Sequence, residues 1–182
     1  MPFPRLFRRR PLEREGYQLY GVAVTAARDP AWYRELGVPD TLDGRFDMVA
    51  LFAFLLIDRV RDEPGEAAPD LAQAVFDAMF SDMDQNLRQM GVADLGVGRR
   101  VKTMWEAFHG RAAAYRKALA EAGEAALGEA LARNVWRSAA PVSEAARLAL
   151  AVRRARAALA GQDFAALRQG EARFPPATEL LA

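Results

Sequence analysis

Histidine occurs once in the chain, as His109, and cysteine does not occur. Thiolate nucleophiles, disulfides and cysteine-based zinc or iron–sulfur sites are therefore excluded. A Ser-His-Asp arrangement would have to be centred on His109, which stands between Phe108 and Gly110, just off an apolar stripe. The most suggestive carboxylates are Asp77 and Asp84, two helical turns apart, with Asp82 between them and Asp70 upstream. Two acids on one helix face can begin a metal site, but no Glu-x-x-His motif supplies the other ligands. The i, i+4 spacing of Asp84 and Arg88 fits a solvated ion pair better. Met48, Met79, Met83, Met90 and Met104 recur at helical spacing and read as core filler rather than axial haem ligands. No catalytic residue, metal site or cofactor is expected.

The charges are more informative than the ligands. There are 25 basic and 24 acidic residues, a balance unlike that of a general nucleic-acid binder. Their distribution is uneven. Residues 1–14 hold five arginines and one glutamate, residues 62–94 eight acids and one arginine, and residues 99–117 six bases and one glutamate. Residues 1–11 form a basic arm in which Phe3, Arg5, Phe7, Arg8, Arg9 and Arg10 could rest on an anionic membrane surface or touch a ribosome.

The elements that position these residues are helical. Apolar residues recur with a period near 3.6 almost throughout, which predicts an all-α fold. The expectation is a compact single-domain bundle of about seven to eight helices over residues 12–170, with an irregular tail over 171–182. The first helix spans about 12–28. Asp29, Pro30 and Gly37 have the types and order of an N-cap, a first helical residue and a stop. The third helix, about 43–61, is apolar on nearly every face from Met48 to Ile57 and belongs at the centre. Phe46, Val49, Ala53, Leu56, Ile57 and Val60 are expected to be mostly buried, as are Phe76, Phe80, Met83 and Leu87 of a fourth helix near 69–91. A loop is expected over 92–98, then helices near 99–122, 124–137 and 142–160 and a short one capped by Asp163. The most apolar run is far below the roughly 20 residues of a membrane span. No signal-peptide core is visible, so the expected location is the cytoplasm. Heavy use of Ala and Arg with two lysines suggests a GC-rich bacterial genome.

Two stretches carry a more specific signal. One is Tyr33-Arg-Glu-Leu-Gly-Val-Pro-Asp-Thr-Leu-Asp-Gly-Arg-Phe-Asp47. The other is Phe76-Asp-Ala-Met-Phe-Ser-Asp-Met-Asp-Gln-Asn-Leu-Arg-Gln-Met-Gly-Val-Ala-Asp-Leu95, continuing through Val101-Lys102 to Ala107-Phe-His-Gly-Arg111. Over about residues 12–122 the chain resembles the ubiquinol–cytochrome c chaperone family. The resemblance implies an assembly factor, not an enzyme. Mitochondrial members bind newly made cytochrome b, associate with the ribosome, work with a small partner subunit and help build ubiquinol–cytochrome c oxidoreductase, respiratory complex III. The implied role here is cytochrome b assembly at the cytoplasmic face of the membrane, as a peripheral protein with no DNA partner. Family members carry histidine at the position of Phe52 and tyrosine at that of His109, so no family-wide haem ligand is implied.

The segment 37–45 and the expected loop 91–98 are the least periodic parts of the recognised region. Arg99, Arg100 and Lys102 would then open the fifth helix, where cations oppose the dipole. The expectation is one partner-binding surface made by Asp40, Arg45, Asp94, Arg99, Arg100 and Lys102. Two other classes stand beside it. A helical carboxylate-based enzyme would need a deep polar pocket of perturbed acids. A helical nucleic-acid-binding regulator would need a dense basic recognition helix.

Overall fold

The computed structural model describes residues 12–137 and 141–182, apart from the side chains of Asp94 and Leu95. Nine α-helices and no strand occur among the described residues. They are α1 (Glu13–Ala27), α2 (Pro30–Glu35), α3 (Leu42–Arg61), α4 (Ala67–Gln89), α5 (Asp94–Ala120), α6 (Ala125–Val135), α7 (Val142–Ala160), α8 (Phe164–Leu167) and α9 (Ala177–Leu181).

Local chemistry accounts for the boundaries of the recognised region. Asp29 Oδ1 accepts from the Ala31 N–H at 3.0 Å and Pro30 opens α2, as the residue order suggested. Thr41 Oγ1 accepts from the Gly44 N–H at 3.1 Å and starts α3. Gly44 is required there, since a Cβ would lie 2.0 Å from the Pro39 carbonyl oxygen. Gly37 turns with φ +62, a conformation that favours glycine. Its carbonyl accepts from Trp136 Nε1 at 3.0 Å, which ties the connector to the end of α6.

Helix α3 is the centre, as its missing wet face implied. Leu51, Phe52, Ala53, Phe54, Leu55 and Leu56 are all at most 1% exposed. Each large side chain so buried contributes roughly 1.5–3 kcal/mol. Helices α1 and α4 cover one side. They approach closely at Gly16, where a Cβ would meet the Ala74 backbone at 2.5 Å. Tyr20 donates to Asp82 Oδ2 at 2.6 Å and Tyr17 to Ser81 Oγ at 2.8 Å across the same pair.

Phe46, Phe76 and Phe80 are partly buried against the core, and α4 turns Leu71, Ala72, Val75, Ala78 and Met79 fully inward. Two expectations are corrected. Helix α5 begins at Asp94 and absorbs most of the expected 92–98 loop. The tail is not irregular throughout. It carries α9, whose Ala177 and Leu180 are buried.

Candidate functional site

Helix α5 is joined to α3 by two buried carboxylates. Asp47 and Asp58 bound the apolar run of α3 and are eleven positions apart, three turns, so they share one face. Asp47 is 1% exposed. Its Oδ2 accepts from Arg137 Nη1 at 2.6 Å, and Arg111 Nη1 lies 2.5 Å from Oδ1, off the direction of a hydrogen bond. Burial pushes the Asp47 carboxyl above the ordinary carboxylate range, against the opposing pull of Arg111 and Arg137. Arg137 holds the left-handed φ of 54 while it makes this contact. The Tyr115 hydroxyl is buried and its pKa is raised, chiefly by desolvation. At the other end Asp58 accepts from Arg116 Nε at 2.8 Å and has Arg156 Nε at 3.6 Å. Asp47 belongs to the first recognised stretch and Arg111 to the second, so this contact joins them.

A groove of about 490 Å³ lies between α3, α4 and α5. Its walls are aromatic. Phe76 lies 4.7 Å from Phe80, 5.5 Å from Phe108 and 5.3 Å from His109, centroid to centroid. Trp105 is tilted over His109 at 4.0 Å and is 45% exposed. His109 Nδ1–H donates to the Trp105 carbonyl at 2.9 Å, an ordinary i, i+4 contact within the helix. Phe54 and Ile57 of α3 form the floor. The charged or titratable residues that line the groove are Arg61, His109 and Arg116, all basic.

Among the expected partner-binding residues whose side chains are described, one pair is in contact. Asp40 accepts from Arg45 Nε at 2.6 Å, an exposed pair beside Tyr33. Arg99, Arg100 and Lys102 are exposed in the second and third turns of α5 rather than at its start, which removes the dipole argument for them. Lys102 approaches Glu106 at 3.8 Å, and Arg99 and Arg100 have no ion pair among the described side chains. No hydrogen bond or ion pair among the described residues links this turn to Asp40 or Arg45. The side chain of Asp94 and all of Phe3, Arg5, Phe7, Arg8, Arg9 and Arg10 lie outside the described residues. Asp84 pairs with Arg88 at 2.6 Å, as the spacing suggested. Sequence reasoning missed the groove itself. Its signal was the pairing of aromatics three or four positions apart on α4 with those on α5.

Among the described residues no group of three His, Asp or Glu side chains gathers in one place, and no helix is long and apolar enough to cross a membrane. The described residues form an all-helical bundle with an aromatic groove between α3, α4 and α5. The chain belongs to the ubiquinol–cytochrome c chaperone family, whose family model matches residues 34–174. It is similar to the crystal structure of the Cbp3 homolog from Brucella abortus, with 34% identity, a TM-score of 0.82 and 92% of each chain covered. No curated protein gives a significant match. A chaperone acts on a client, and the family match runs through both recognised stretches and on to the last helices.

Proposed function

We propose that this chain is an assembly chaperone for cytochrome b, acting by binding rather than catalysis while ubiquinol–cytochrome c oxidoreductase is built. The observation that carries the reading is the aromatic lining of the groove between α3, α4 and α5, where Trp105 is exposed, Phe76 is partly buried and Phe108 is buried behind them. A multi-span client presents apolar helices before it is assembled, and such helices lie in apolar grooves. Aromatic rings offer large contact area at little entropy cost. The absence of carboxylates from the groove lining keeps the desolvation cost of an apolar occupant low. Cytochrome b is the client that the sequence resemblance implies, and the ribosome and a small partner subunit are further partners in this proposal. The site of action is the inner face of the membrane.

The test is a change that fills the groove without touching the core. Ala113 lines the groove and is exposed. The Ala113→Trp chain is expected to fold with an unchanged unfolding midpoint and to leave cytochrome b undetectable in a host that depends on it. Normal cytochrome b levels with that variant would remove the groove from the client-binding role.

A further inference from the structure

The exposed face of α5 carries cations beside the aromatic residues of the groove. Measured at 100° per residue, Lys102, Trp105, His109 and Arg116 share an arc of about 60°, with Glu106 and Arg99 roughly 40° and 60° beyond Lys102. Arg61, at the end of α3, lines the same groove. Cations therefore flank Trp105 on both sides: Arg99 and Lys102 toward the helix start, Arg61 and Arg116 toward its middle. The acids in reach are few. Glu106 lies 3.8 Å from Lys102, and Asp58 is buried beneath Arg116. Trp32 and Trp136 are buried, at 1% and 6% exposure, whereas Trp105 is 45% exposed.

We propose that this face of α5 docks on an anionic lipid bilayer, with Trp105 seated at headgroup depth and Arg99, Lys102 and Arg61 on the lipid phosphates. An exposed indole between cations is the chemistry of a membrane interface: the ring is apolar on its face and donates a hydrogen bond at its edge. Each basic residue near an anionic surface contributes about 1 kcal/mol, within a Debye length. A ribosome would also attract the cations, but base-paired RNA keeps its bases stacked inside the helix and offers an exposed indole only phosphate and sugar. The docking places the mouth of the aromatic groove at the membrane surface. It stands whether or not the groove holds cytochrome b, because the surface it names is lipid.

The test uses the full chain and vesicles without any protein client. Vesicles of phosphatidylcholine and phosphatidylglycerol, carrying bromine on the acyl carbons nearest the headgroup, are expected to quench part of the tryptophan fluorescence. Vesicles of phosphatidylcholine alone are not. A Trp105→Phe chain should show no quenching, since the other two tryptophans are buried. The Arg99→Glu/Lys102→Glu chain should keep its helical signal and lose more than about tenfold in partitioning to the anionic vesicles. Binding through the basic arm alone would appear as cosedimentation without quenching of Trp105, and would overturn the proposal. Loss of ribosome cosedimentation in the charge-reversed chain, with Trp105 unquenched by lipid in the parent, would assign the cations to the ribosome and overturn it equally.

Discussion

The guanidinium of Arg111 is where a single side chain has the largest leverage. It is one of two cations that compensate a carboxylate buried to 1% exposure. Breaking a buried pair by removing one partner costs about 3–5 kcal/mol, because the other charge stays behind. Arg111→Met is therefore expected to lose about 3–5 kcal/mol of unfolding free energy near neutral pH. The pH dependence follows from the direction of the Asp47 shift. Its folded pKa is already raised by burial, and losing Arg111 raises it further. Between the ordinary Asp value, about 3.9, and the raised one, the folded state holds a proton that the unfolded state has released. Stability then falls as pH rises through that window. Denaturant unfolding of Arg111→Met should show a smaller deficit in mild acid than above neutrality. The double variant Asp47→Asn/Arg111→Met should be more stable than Arg111→Met at neutral pH. A deficit independent of pH would show that Asp47 carries no uncompensated charge there.

At the scale of elements, two glycines test whether the helices are placed by close backbone contact. A Cβ on Gly44 would lie 2.0 Å from the Pro39 carbonyl oxygen, and backbone cannot yield as a side chain does. Gly44→Ala is expected to cost at least about 1–3 kcal/mol. Gly21 of α1 has nothing within 4 Å of the same added atom. Gly21→Ala should instead gain about 0.5–1 kcal/mol. Both are read from denaturant midpoints, and equal effects at the two sites would refute the steric account. The same contrast explains what was legible in the sequence. The central α3 was legible because its run from Met48 to Ile57 has no polar face. The Asp29–Pro30 start of α2 was legible because capping chemistry is local. The inward face of α4 was not, because close packing against Gly16 selects Ala74, and small residues weigh little in an apolar count. The conspicuous Phe76 and Phe80 turn toward α5 instead. The start of α5 was hidden by Gly91, Gly96 and Gly98, which read as a loop. The buried ion pairs were written in the eleven-residue spacing of Asp47 and Asp58, but nothing in the sequence says which of the arginines meets them.

The whole molecule closes on itself through its last residues. The Ala177 N–H donates to Asp29 Oδ2 at 3.1 Å, so one aspartate serves the starts of α2 and α9. Arg154 Nη1 donates to the Leu180 carbonyl at 2.8 Å. The Gln162 side chain brackets Arg173, donating to its carbonyl at 2.8 Å and accepting from its N–H at 3.0 Å. The Phe174 ring stands edge-on to Phe52, 4.9 Å away, and Phe52 in turn packs on Trp32 at 5.7 Å. Residues 171–182 therefore cover the middle of α3 and connect the first helices to α7. Leu180, at 3% exposure, contributes roughly 1.5–3 kcal/mol by burial, and each hydrogen bond lost adds about 1 kcal/mol. A chain ending at Gly170 would also expose Phe52, which is 1% exposed in the whole protein. It is expected to lose at least about 3 kcal/mol of unfolding free energy. The loss should reach α2 and α3 together, since Asp29 and Phe52 are both contacted. Hydrogen exchange would show this as faster amide exchange in α2 and at the middle of α3, not only in α7. An unchanged unfolding midpoint in the shortened chain would mean that residues 171–182 rest on the bundle without supporting it.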